Sequence, residues 1–156
     1  MSSSAQSSSP PQSSSPVSYL FAEMPESGVP VEVADGVFWV RMPLPFKLDH
    51  VNLWLLRDGD GWTVVDTGLN WERVKQLWGG VFDGLCRHGP VTRVIATHFH
   101  PDHMGLAGWL TERWGVPLLA TFGEWAFARM LAADTSAAFV EEQVRFYRRA
   151  GFDADG

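Results

Sequence analysis

The sequence has a single cysteine, Cys86, and one thiol excludes any internal disulfide. It has no apolar run near the roughly 20 residues that a membrane-spanning helix needs. It also shows no self-similarity at the spacing of repeat architectures. Basic residues are too few to balance the acidic ones, and the net charge is −6 over 156 residues. An acidic chain argues against a nucleic-acid backbone as the main partner, since that partner favours a basic face. There is no Gly-x-Ser-x-Gly elbow, so a serine nucleophile of that kind is absent. These absences point to a cytoplasmic domain whose chemistry rests on something other than serine or cysteine.

What is present divides in two. Residues 1–18, MSSSAQSSSPPQSSSPVS, carry no charge and almost nothing apolar. Such a segment cannot offset its ordering entropy by burial, and it is expected to be a disordered, solvated tail. With neither a basic start nor an apolar stretch, it is not a secretory leader. Residues 19–156 are expected to form one domain. The chain is 46% hydrophobic and 19% charged, ordinary values for a folded protein. Two β-rich runs flank Asp35-Gly36, and two more, Val51–Arg57 and Trp62–Asp66, flank an Asp-Gly-Asp-Gly turn, so two hairpins are predicted. Asn70 is placed to cap a helix over about 71–87, with Val74, Leu77, Trp78, Val81 and Leu85 as its apolar stripe. Gly79-Gly80 is a point where that helix could split. A buried strand at 91–97, a helix over about 103–114, a short strand at 116–121 and helices at 123–133 and 136–150 complete the order. The pattern predicts an α/β domain with helices on a mixed sheet.

Chemistry concentrates in ATHFHPDHMGLAG, residues 96–108, which hold three of the five histidines. His98 and His100 are two apart, a spacing that puts side chains on one side of an extended segment. Two imidazoles so placed can bind one metal ion, at about 2.0–2.1 Å per bond for zinc. Pro101 turns the chain, and Asp102 and His103 can then reach the same place from the start of the next helix. Gly105 and Gly108 are expected to let that helix backbone approach the loop. Without a metal, three imidazoles and a carboxylate at one strand end would lack a common purpose. Elsewhere the signals are bland. His50 reads as a strand-edge residue, Cys86 with His88 as an inert pair, and Arg145, Arg148 and Arg149 as a solvated helix face.

His98-Phe99-His100-Pro101-Asp102-His103 resembles the His-x-His-x-Asp-His signature of the metallo-β-lactamase superfamily. VVDTG, residues 64–68, is similar to that family's other early motif. The resemblance covers about residues 30–122. It implies an αββα sandwich, of which this chain matches the N-terminal half. In the family, the histidines matching His98 and His100 bind the first metal, and the residues matching Asp102 and His103 bind the second. Asp102 is also the candidate catalytic carboxylate, and the aspartate matching Asp66 supports the ligand loop. Oxygen reductases of the family carry glutamate in place of His100, and several true β-lactamase groups carry arginine or cysteine in place of His103. Retaining both histidines is the pattern of glyoxalase II-like thioesterases, lactonases, tRNA-processing nucleases and one lactamase group. The implied activity is a dinuclear zinc hydrolase acting on an ester, thioester or lactone through hydroxide generated at the metals.

The remaining family ligands, two histidines and a bridging aspartate, come from the second half of the sandwich. No histidine follows His103 here, and Asp134, Asp153 and Asp155 do not sit at a strand end. The expectation is therefore a domain incomplete at its C-terminus, holding one zinc ion or none of the two in the full site. Its partners would be a small-molecule substrate and either a missing C-terminal half or a second copy. A phosphodiesterase or nuclease of the same fold, and a truncated non-catalytic fragment, are the alternatives.

Overall fold

The computed structural model describes Phe21 and residues 23–152. The expected tail at 1–18, Asp153 and Asp155 lie outside the described residues.

Among the described residues, six strands form one sheet in sequence order: β1 (Val31–Ala34), β2 (Val37–Pro43), β3 (His50–Asp58), β4 (Gly61–Val65), β5 (Val91–Ile95) and β6 (Leu118–Leu119). The first four are antiparallel, while β4, β5 and β6 run parallel. Both hairpins fall where the turn residues put them, with Gly36 at φ 69° and Gly59 at φ 60°. A parallel pair needs a crossover. Helix α1 (Glu72–Gly84) supplies the one from β4 to β5, and the short α2 (Pro101–Met104) with α3 (Ala107–Trp114) supplies the next. Helices α4 (Phe122–Ala133) and α5 (Ala137–Arg149) follow. Their caps are Thr121 and Ser136, whose hydroxyls accept from Glu124 N and Phe139 N.

Two neighbouring rows of side chains show how the sheet is used. Phe38, Leu55, Val64, Val94 and Leu118 stand opposite one another across β2 to β6. This row faces the helices, where Val74, Trp78, Val81 and Phe82 of α1 and Leu110 of α3 join the core. One residue along, Val31, Trp39, Trp54, Val65, Ile95 and Leu119 align across all six strands. Partners in register share a face, and this second row stands on the face that, among the described residues, carries no helix, and it is only partly buried.

Several local expectations are corrected. Asn70 does not cap α1: the helix starts at Glu72, Trp71 occupies the cap position, and no side chain caps it. Asn70 is held one residue earlier, where its backbone passes close beneath Gly105. Gly79-Gly80 does not split the helix, which instead tightens into a 3-10 turn over Leu85–His88. The single helix expected at 103–114 is two, parted at Gly105-Leu106. A Cβ on Gly105 would lie 2.8 Å from Asn70 N and 3.0 Å from Gly68 O, so glycine is required for that approach. Gly108 plays no such part, since a Cβ there meets nothing within 4 Å.

Candidate metal centre

Strands β4 and β5 are parallel neighbours, so their C-terminal ends open at one edge of the sheet. Ligand sites in open α/β sheets form at such ends. Asp66 follows β4, and the segment 96–100 follows β5. The backbone of Asp66 donates to Ile95 O at 2.8 Å, which ties the two ends together. Asp66 is buried and sits at φ 60°, the one non-glycine residue with positive φ among those described. Aspartate tolerates this region better than most residues, yet the conformation still costs energy. What it achieves is aim. Oδ1 accepts from Thr97 N at 2.7 Å, and Oδ2 accepts from Thr97 Oγ1 at 2.7 Å. Oδ2 also lies 2.8 Å from His103 Nδ1.

That network sets the tautomers of two histidines. An ionised carboxylate only accepts, so His103 Nδ1 carries the proton and its Nε2 lone pair is free. Thr97 has one hydroxyl proton, and Asp66 takes it. At the 2.9 Å contact between Thr97 Oγ1 and His98 Nδ1, the hydroxyl must therefore accept. His98 Nδ1 is the donor, and its Nε2 is also left free. A histidine that gives one ring N–H to an oxygen and keeps the other nitrogen open is arranged as metal-binding histidines are.

The structure brings His98 and His103 of the motif into one group of potential ligand atoms with Asp66, while His100 and Asp102 lie next to that group and not within it. The rings of His98 and His103 lie 4.0 Å apart between centroids, and those of His98 and His100 4.7 Å. Asp102 Oδ2 is 3.5 Å from His103 Nε2. Pro101 opens α2 at a position where its missing N–H costs nothing, and so presents Asp102 and His103 one turn after His100. Ligand atoms of Asp66, His98 and His103 fall within 4.8 Å of one another. Of these three, Asp66 has its lone pairs engaged by Thr97 and His103, whereas the two imidazoles do not. Nitrogen donors with a carboxylate beside them suit a divalent transition metal.

Two residues of this site have roles that the sequence pattern does not assign, although Thr67 lies within the VVDTG motif. Thr67 is fully buried, and its hydroxyl donates to His103 O at 2.9 Å while accepting from Leu106 N at 3.0 Å. It thereby locks α2 onto the end of β4. Glu124, on α4, accepts from Phe99 N at 2.7 Å, between the two histidines. His50 stays apart. Its Nδ1 lies 2.6 Å from Asp49 and 3.0 Å from Arg41, and Asp49 is held below the usual carboxylate range by His50 and then by Arg41. Cys86 is buried, and burial pushes its thiol up to about 11, while His88 is exposed, so the pair is inert.

Beside the loop, α2, α3 and α4 flank an open cleft of about 500 Å³. Phe99, Pro101, Met104, Trp125 and Leu131 line it, with Arg129 as its charged member.

Fold and motif together define a member of the metallo-beta-lactamase superfamily, and the chain belongs to it: the superfamily's sequence profile matches residues 47–154. Among solved structures, it is similar to a beta-lactamase domain protein from Burkholderia ambifaria, with 48% identity and a TM-score of 0.70, over 77% of this chain and 40% of that one. It is also similar to the metallo-beta-lactamase family protein TTHA1429 from Thermus thermophilus, at 27% identity and a TM-score of 0.62, over 74% of this chain and 38% of that one. Among curated relatives, the probable metallo-hydrolase YqjP of Bacillus subtilis is 28% identical over 116 residues, 74% of this chain and 34% of the relative. The acyl-coenzyme A thioesterase MBLAC2 of Bos taurus is 30% identical over 79 residues, 47% of this chain and 28% of the relative. The matches thus span 34% and 28% of the lengths of these two curated relatives. Among the described residues no helix is long and apolar enough to cross a membrane.

Proposed function

We propose that this chain carries the metal-binding loop of a hydrolase that cleaves an ester or thioester with an apolar acyl group. The observation that carries the reading is the pair of free Nε2 atoms on His98 and His103, set by Asp66 and Thr97. In this reading His98, His100, Asp102 and His103 hold zinc, and Asp66 orients them from behind. Bound zinc supplies a Lewis acid for the carbonyl and lowers the pKa of water. The chain's own residues do the rest. Asp66 keeps the proton of His103 on Nδ1, so Nε2 remains a donor of electrons. Asp102, with Oδ2 3.5 Å from His103 Nε2, presents a carboxylate that can take the proton of an attacking water. The cleft beside Phe99 and Pro101 is apolar and of ligand size. An acyl chain suits it better than a nucleotide does, and the thioesterase relative agrees with that choice. The buried, unpaired thiol of Cys86 accords with a cytoplasmic setting.

Cobalt titration of the whole chain tests the reading through the visible absorption of the bound ion. His98→Ala, His100→Ala and His103→Ala should each weaken binding at least about tenfold. His50→Ala and His88→Ala should leave it unchanged. Equal binding in all five variants would dismiss the site.

A further inference from the structure

Thr121-x-x-Glu124 reads as a capping box, in which the glutamate turns back to the start of its own helix. The structure uses half of that device. Thr121 Oγ1 accepts from Glu124 N at 3.3 Å, but the Glu124 carboxylate leaves the helix and takes the Phe99 N–H at 2.7 Å. One turn further along α4, the ring of Phe127 packs against that of Phe99, with centroids 4.8 Å apart. Helix α4 therefore grips a single residue of the loop twice, once through its backbone and once through its side chain.

That residue is the one between His98 and His100. The direction of the Phe99 N–H is the orientation of the peptide plane joining Phe99 to His98. Rotating that plane swings the two histidine side chains relative to each other. Asp66 and Thr97 fix the loop at its entry, and Thr67 fixes α2 at its exit. Nothing on β4 or β5 holds the middle. A charged acceptor makes a shorter and stronger bond than a neutral one, so it suits a plane that must not turn.

We propose that Glu124 is a positioning residue of the metal site, acting through the Phe99 amide to set the bite of His98 and His100. The proposal rests on the metal reading above, and the experiment separates the two. In the metal-free chain, nuclear magnetic resonance follows exchange of the Phe99 amide, and cobalt titration follows affinity. Glu124→Ala should speed the exchange and weaken cobalt binding, each about tenfold. Glu124→Gln keeps an acceptor oxygen and should recover both to within about threefold of wild type. Thr121→Ala removes the cap of α4 while sparing the bond to Phe99, and should leave cobalt affinity unchanged. Wild-type affinity in Glu124→Ala, or an equal loss in Thr121→Ala, would overturn the positioning role and leave the metal site standing. A wild-type chain that binds no cobalt would overturn the metal reading, and this role with it.

Discussion

Asp66 combines a left-handed backbone with a carboxylate that accepts from two residues, and the two features respond differently to mutation. Asparagine tolerates positive φ as aspartate does, but its amide presents an N–H to one of the donors. Asp66→Asn should weaken metal binding about 10–100-fold while the far-ultraviolet circular dichroism stays unchanged. Asp66→Ala removes the acceptors and adds backbone strain, so it should also lower stability by about 1–3 kcal/mol in urea unfolding. Cys86 gives a second test. With its thiol at about 11, alkylation at pH 8.5 should run roughly 100-fold slower in the folded chain than in urea. Its neutral form is the one the fold favours. The contribution is therefore full below about pH 8.5, the unfolded value, and fades as pH rises towards the folded one. At this scale the motif residues were legible because their types and spacing are rare together. The roles of Thr67 and Glu124 were not, since a threonine beside a motif aspartate or a capping glutamate has the same sequence appearance whether or not it reaches a distant loop.

Strands and hairpins were legible because turn glycines and alternating burial are local properties. Helix boundaries were not wherever tertiary approach decided them. Asn70 is a good cap by type, yet the passage of its backbone under Gly105 moves the start of α1 to Glu72. The break between α2 and α3 has the same origin, and the two glycines there make opposite predictions. Gly105→Ala drives a Cβ into the backbone of Gly68 and Asn70, which cannot yield cheaply. A loss of about 1–3 kcal/mol is expected. Gly108→Ala meets open space within α3 and should add about 0.5–1 kcal/mol through helix propensity. Urea unfolding of both variants checks the pair, and equal effects would show that the contact under Gly105 is not rigid.

At the scale of the sheet, the apolar row from Val31 to Leu119 is continuous and only partly buried, and among the described residues no helix covers it. A face of this kind associates. The 156-residue chain should sediment as more than a monomer, and Trp54→Arg should shift it towards monomer without unfolding it. Ligand number sets a second expectation, since three protein ligands with water are the usual minimum for a catalytic zinc site. The chain alone should hold at most one zinc ion, weakly, by metal analysis after dialysis. Adding a segment that supplies a histidine and an aspartate should raise the stoichiometry. Two tightly held ions without it would show that other residues complete the site. The bonds of Thr67 carry one further consequence, in time rather than in space. They reach 36 residues ahead to His103 and 39 to Leu106, and those of Asp66 reach 31 and 37. Each of them spans α1 and β5, so each is expected to form only once β5 lies beside β4. Contacts so distant along the chain are late and slow to assemble. The loop around His98 is therefore a clock for folding: a probe there should report the last kinetic phase, and a chain cut within α1 should lose the site although no ligand lies in that helix.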